Sequence, residues 1–248
     1  MPPKKRAAVT PIKRTPVVHP FDQRHGTDTS GLLPAEVIAR GTDAVLEDLT
    51  AYYGVAPSIL EGVVDCWLQK TAPVHSIEHY TFYDVGAGKG RALLLASQFP
   101  FAAVEGVELN AALCAIAQAN IDLWMRDRKA APLAPITVHN ADATKHPLPK
   151  GPTLAFLFHP FEDAVLKRFI SHVERHLAQH PHAFDLMYVN AEHGSLLDRH
   201  PSLIHLWEGK VAMSAADHLA DLAEIAQQKE YGSTGDELCS VYRFSVRL

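Results

Sequence analysis

Residues 81–90, Thr-Phe-Tyr-Asp-Val-Gly-Ala-Gly-Lys-Gly, set one carboxylate and three alternating glycines directly after strand-forming residues. Arg91-Ala-Leu-Leu-Leu-Ala-Ser then opens an apolar helical run, so the stretch predicts a strand, a tight turn and a helix. In such a turn Gly86 allows the sharp bend, Gly88 lets a ligand approach bare backbone, and Gly90 packs helix against strand. A nucleotide-like ligand suits this geometry. The spacing is G-x-G-x-G rather than the dinucleotide G-x-G-x-x-G, and Arg91 stands where the third dinucleotide glycine would fall. Asp84, at the strand end, would repel a pyrophosphate but could hold a cationic amino-acid head. The same residues also admit a glycine-rich turn that binds nothing.

The flanking sequence must position this turn. Pro34 suits the first turn of a helix expected over 35–52, where Val37, Ile38, Val45, Leu46 and Leu49 recur at mostly helical spacing before Gly54 stops it. A second helix, 57–70, sets Ile59, Leu60, Val63, Val64, Trp67 and Leu68 on one stripe. From Phe82 onward strands and helices alternate. Further strands are expected at 102–108, 136–139, 153–158, 185–189, 203–207 and 238–246. Helices are expected from Asn110, over 162–180 and over 215–229. The pattern predicts an α/β fold with a doubly wound, seven-stranded, mostly parallel sheet and an N-terminal helical extension.

Asp84-x-Gly86-x-Gly88-x-Gly90 resembles the first motif, D-x-G-x-G-x-G, of the class I S-adenosylmethionine-dependent methyltransferases at every fixed position. The resemblance implies the Rossmann-like methyltransferase fold, with S-adenosyl-L-methionine as cofactor against Asp84, Gly86, Ala87, Gly88 and Gly90. It also implies an acid at the end of the second strand that accepts both ribose hydroxyls. Glu108 stands there, with Leu109 beside it, and the two oxygens of a carboxylate can take two donors together. Glu105, three residues earlier, would face the other side of the strand. Asp142 fits the family's acid near the adenine amino group, and Ala143 supplies the backbone amide that reads the ring. A nicotinamide-binding protein would share the second-strand acid, so the combination with Asp84 and Asp142 carries the distinction.

Methyl transfer is an in-line displacement from a sulfonium, and the enzyme mainly aligns the nucleophile, removes its proton where needed and excludes water. In this fold the acceptor side lies at the ends of strands four and five. His159 ends strand four, where the amino-group branch of the family commonly reads N-P-P-Y or N-P-F and this chain reads His159-Pro160-Phe161. A neutral imidazole could accept a proton from the acceptor, and the departure loosens the link to an amine. After strand five, Asn190, Glu192 and His193 form a second polar cluster, readable as a helix cap or as part of the site. The Phe21-Asp-x-x-x-Gly26-x-Asp28-Thr29 segment, the glycine turn and Phe-Leu-Phe-His-Pro-Phe at 156–161 together resemble a group of bacterial class I methyltransferases of unassigned substrate, over about residues 21–210. That resemblance implies a lid in which Thr27, Asp28 and Thr29 touch the methionine end of the cofactor; a plain helix-entry loop is the other reading. His172, His176 and His180 recur every four residues, but without H-E-x-x-H or a nearby cysteine they read as a solvated flank, and no metal is expected.

A length of 248 residues and 47% hydrophobic composition fit one large domain with an appendage. The expected organisation is a disordered basic tail at 1–20, a loop and helical extension at 21–78, and the cofactor-binding domain at 79–248. Lys4-Lys5-Arg6 and Lys13-Arg14 make the tail, alternatively, an anchor for an acidic partner or a nuclear address. No apolar run of about 18 residues and no secretory pattern occurs, so a cytoplasmic protein without membrane partners is expected. A net charge of −5 disfavours nucleic acid as a partner. Cys66, Cys114 and Cys239 are expected to be reduced core residues. The methyl acceptor, a small molecule or a protein side chain, is left open by the sequence. Two other functions compete: an aminopropyltransferase, which would call for paired acids where this chain has His-Pro-Phe, and a module that binds the cofactor without turnover.

Overall fold

Apolar runs covered on both faces become the central strands of a sheet. The computed structural model describes residues 17–40, 42, 44–127, 132–226 and 232–245. Its central strands are β1 (Thr81–Val85), β4 (Thr153–Phe158) and β5 (Phe184–Val189). β2 (Ala103–Glu108) and β3 (Ile136–Asn140) flank them on one side, β6 (Leu203–Ala212) and β7 (Asp236–Phe244) on the other. The order is β3-β2-β1-β4-β5-β7-β6, and β7 alone runs against its neighbours. This is a doubly wound, mostly parallel sheet of seven strands, as the alternation of strands and helices predicts. The order reverses between β1 and β4, the topological switch point at whose carboxyl edge ligands bind in open α/β sheets.

Three helices precede the sheet: α1 (Pro20–His25), α2 (Ala35–Ala39) and α3 (Pro57–Lys70). α4 (Arg91–Ala96), α5 (Ala111–Trp124), α6 (Asp163–Gln179), α7 (Gly194–Asp198) and α8 (Ala215–Ile225) are interleaved with the strands. Alternate residues of each strand feed two cores. Phe82, Val104, Leu154 and Met187 pack with α3, α4 and the end of α5, while Tyr83, Val107, Leu157 and Leu186 pack with α6. Pro57 opens α3, and Ile59, Leu60, Val63, Val64 and Trp67 are buried from it. Leu68, expected on that stripe, is turned out and 37% exposed. Trp67 Nε1 donates to Asp185 Oδ2 at 2.8 Å, and Arg243 clamps the same carboxylate with bonds of 2.6 and 2.8 Å.

The helix expected over 35–52 does not form. α2 ends at Ala39, one 3-10 turn covers Leu46–Asp48, and the other described residues up to Ala56 form no further helix. Tertiary pairing overrides the helical spacing. Leu33 and Tyr52 exchange two backbone hydrogen bonds, and Leu49 bridges to Phe161, so the segment is stretched between the body's two halves. β6 continues to Ala212, past the expected end at Trp207, because an edge strand keeps polar residues such as Glu208 and Lys210 on its wet face. Residues 1–16 of the expected tail, 227–229 of the last expected helix and 246 of the last strand lie outside the described residues. The three cysteines are free, with Cys114 and Cys239 buried. No helix among the described residues is long and apolar enough to cross a membrane.

Candidate functional site

A cavity of about 800 Å³ opens at the carboxyl ends of β1, β2 and β4. Asp84, Gly86, Ala87 and Gly88 form its floor, and Glu108, Leu109, Asp142 and Ala143 form one side. Ile38 and residues 48–55 of the N-terminal segment cover it, with Phe158, Pro160, Phe161 and Arg168 at the far side. Eight of the residues singled out from the sequence therefore meet in one hollow.

The turn needs glycine for steric reasons visible at two positions. Gly86 and Gly88 have φ of 81° and 54°. A Cβ on Gly86 would lie 2.7 Å from Pro160 Cβ, and one on Gly88 would lie 2.3 Å from Tyr52 Cε2. The bare backbone of Gly88 is thus approached by the Tyr52 ring, whose hydroxyl donates to the Thr29 carbonyl at 2.7 Å. Gly90, expected against the cofactor and between helix and strand, does not line the cavity; it precedes α4 and faces Ala117 of α5, so it allows two helices to approach.

Asp84 is 3% exposed, and its Oδ2 has no hydrogen-bond partner. Burial, with the nearby Glu108 charge added, pushes its carboxyl up to about 8. A buried, unpaired carboxylate is costly, so the protonated form is favoured in the free protein. Glu108 is better supplied. Its Oε2 accepts from Gly88 N–H at 2.7 Å and its Oε1 from Asn110 N–H at 2.7 Å, which ties the turn to β2. Each oxygen keeps a lone pair for a further donor. Burial raises its pKa against those bonds. Asp142 accepts from the Thr144 amide and hydroxyl at 2.9 and 2.7 Å and pairs with Lys145 at 2.8 Å. Burial opposes its ionisation, but the Lys145 and Thr144 bonds outweigh it and hold the carboxyl below its ordinary value.

Thr27, Asp28 and Thr29 lie away from the cavity lining. The Thr27 and Thr29 hydroxyls each donate to Asp22 Oδ1 at 2.6 Å, and Thr29 N–H donates to Asp22 Oδ2 at 2.8 Å. Asp28 pairs with Lys89 Nζ at 2.8 Å. Arg91 reaches the same loop, donating to Thr29 Oγ1 at 2.8 Å and to the Thr29 and Gly54 carbonyls at 3.1 Å. The loop is pinned to the helix that follows the glycine turn, and the residues that cover the cavity come from further along the chain.

His159 ends β4 with φ of 41° and stands behind its neighbours Phe158 and Pro160, which line the cavity. Its Nδ1 lies 3.1 Å from the Tyr188 hydroxyl and its Nε2 3.6 Å from Glu192 Oε2. Burial lowers its pKa more than Glu192 raises it, leaving a neutral imidazole at pH 7. His193 precedes α7 without a side-chain cap bond, and its Nε2 meets Glu162 Oε2 at 3.1 Å. Asn190 Nδ2 donates to Glu192 Oε1 at 3.2 Å. The cap reading of this cluster is therefore replaced by a junction between the β4 and β5 edges. The α6 histidines also differ from a solvated flank. His172 and His176 are half-buried, and their Nε2 atoms bond the His146 and Pro149 carbonyls at 2.7 and 2.8 Å, clipping the helix to the chain before β4.

Tyr52, Tyr53, Asp48 and Arg168 line the cavity without having been singled out from the sequence. Tyr52-Tyr53-Gly54 reads there as the end of a helix. Arg168, on α6, donates to Asp48 Oδ2 at 2.9 Å and closes the wall between α6 and the N-terminal segment.

No protein-family model and no curated protein matches the sequence. Among solved structures the chain is similar to a precorrin-6y C5,15-methyltransferase of Geobacter metallireducens, at 16% identity and a TM-score of 0.45, over 75% of this chain and 88% of that one. It is also similar to the magnesium protoporphyrin IX methyltransferase of Synechocystis, solved with its cofactor bound, at 13% identity and a TM-score of 0.43, over 77% and 78% of the two chains. At such identities the likeness concerns architecture alone. Only the site's own residues can speak for its chemistry.

Proposed function

We propose that the chain is a methyltransferase that takes its methyl group from S-adenosylmethionine bound in the cavity. The observation that carries this reading is Asp84, a buried carboxylate on the cavity floor with one oxygen unpartnered and its pKa pushed up to about 8. A ligand that brings a cation to this carboxylate relieves its desolvation, and the ammonium of the methionine end is such a group. A dinucleotide would bring its pyrophosphate to the same place and offer Asp84 no cation, leaving that carboxyl without a counter-charge. Glu108 has lone pairs for the ribose hydroxyls, the Ala143 amide and Asp142 suit the adenine, and Tyr52 lies over the turn. The acceptor would enter at the edge formed by His159 and Phe161, beyond which the Glu162, Glu192 and His193 side chains lie. Calorimetric titration with S-adenosylmethionine, S-adenosylhomocysteine and NAD in parallel tests the reading. Micromolar binding of the two sulfur compounds and none of NAD is the expected result. Failure of both sulfur compounds to bind would overturn it.

A further inference from the structure

At the carboxyl edge of β4 and β5, outside the cofactor floor, two imidazoles and two carboxylates converge. A ring nitrogen of His159, a ring nitrogen of His193 and a Glu162 oxygen all lie within 4.8 Å of one another. Glu192 Oε2 stands 3.6 Å from His159 Nε2, and Glu162 Oε2 stands 3.1 Å from His193 Nε2. Donors on one tetrahedral divalent ion, at bond lengths of about 2.0–2.2 Å, sit about 3.3–3.6 Å apart. The cluster is thus within a small side-chain adjustment of a coordination sphere. We infer that His159, Glu162 and His193 form a binding site for a divalent transition-metal cation such as zinc.

Three further features support a cation over a simple hydrogen-bonded junction. The ring of His159 is oriented from behind, because its Nδ1 meets the Tyr188 hydroxyl at 3.1 Å and leaves Nε2 toward the carboxylates. Holding the second ring nitrogen is what outer partners of metal-bound histidines do. Both imidazoles are held close, with side chains only 13% and 22% exposed. Among the described residues neither Glu162 nor Glu192 is paired with lysine or arginine: Glu162 meets the His193 ring, and Glu192 meets the His159 ring and the Asn190 amide. Glu192 also adds to the negative field at Glu237, whose carboxyl is pushed up to about 7 by burial first and by neighbouring acids after it. The donor set of imidazole nitrogen and carboxylate oxygen selects first-row divalent ions over magnesium or calcium. A tetrahedral ion held by these three protein ligands keeps its fourth position for a water or an acceptor oxygen beside the wall formed by Phe158, Pro160 and Phe161.

The site does not depend on the methyl-transfer reading, and its test leaves that reading untouched. Zinc is titrated calorimetrically into the full-length, metal-free protein. One equivalent should bind with micromolar affinity or better. His193→Ala and Glu162→Gln should each weaken binding at least tenfold while the zinc-free variants keep the wild-type melting temperature. His172→Ala, in the middle of α6 and turned to the His146 carbonyl, should bind as wild type does. Zinc that fails to bind, or that binds both site variants as tightly as wild type, overturns the assignment. X-ray absorption of the zinc-loaded wild type gives a readout free of any variant: two imidazoles with oxygen donors are expected, and a shell containing sulfur or lacking imidazole contradicts the site.

Discussion

Two aspartates of this protein are almost equally buried and are treated in opposite ways. Asp22, in the first turn of α1, is 2% exposed, and Asp84, on the cavity floor, is 3% exposed. Around Asp22 the chain gathers Thr27, Thr29 and Ser30 as donors, with the Arg91 guanidinium 4.0 Å away. Burial penalises that charge, yet the hydroxyl bonds and Arg91 win and hold the carboxyl below its ordinary value. Around Asp84 no donor reaches Oδ2, and the nearby charge is that of Glu108. The first carboxylate completes a structural knot. The second is left for something that the chain does not itself supply.

The comparison can be broken most forcefully at Asp22. Asp22→Ala strands Arg91 and three hydroxyls in the interior, and a loss of about 3–5 kcal/mol is expected by urea denaturation at pH 7. Because the folded pKa of Asp22 is depressed, its contribution is present above the ordinary carboxylate value and disappears as pH falls through the folded one. The wild type should therefore approach the variant's stability only at strongly acid pH. A variant as stable as wild type at pH 7 would remove the knot from the account.

Asp84→Asn should act in the other direction. The folded pKa is raised to about 8, so the free protein has no penalty below the ordinary carboxylate value and an increasing one as pH rises toward 8. Removing the charge should stabilise the free protein by about 2–4 kcal/mol at pH 8, less than the full shift because the amide finds no new partner, and by little at pH 4. The same change should abolish measurable S-adenosylmethionine binding. Stability gained together with function lost is the sign of a site residue.

Smaller effects sharpen the contrast between floor and loop. Gly88→Ala places a methyl group against the Tyr52 ring at positive φ and should cost about 1–3 kcal/mol in thermal unfolding. Cofactor affinity should fall with it, because Tyr52 must shift. Thr27→Val removes one of the Asp22 donors and should cost about 1 kcal/mol while leaving cofactor affinity unchanged. A fall in affinity without loss of stability would instead make Thr27 part of a lid.

The sequence exposes the sheet and the floor of the cavity because both leave local marks. Strands covered on two faces read as apolar runs, such as Thr153–Phe158, and the Asp84–Gly90 spacing is itself the turn. The cover was hidden for the opposite reason. Val37, Ile38, Val45, Leu46 and Leu49 have helical spacing, but Leu33, Tyr52 and Phe161 hold that segment open through pairings distant in sequence. Asp22 looked like one polar residue among several, since its partners are gathered only when the loop closes on Arg91. His159 and His193 were each legible alone, and their approach to Glu162 depends on the adjacency of β4 and β5.

The central claim is that Asp84 waits for a positively charged ligand. Carbon-13 NMR of aspartate-labelled protein, titrated with and without saturating S-adenosylmethionine, tests it most directly. The account predicts an Asp84 carboxyl that titrates near 8 in the free protein and is ionised across the neutral range once the cofactor is bound. An ordinary carboxylate titration in the free protein, or one that the cofactor leaves unmoved, would contradict it.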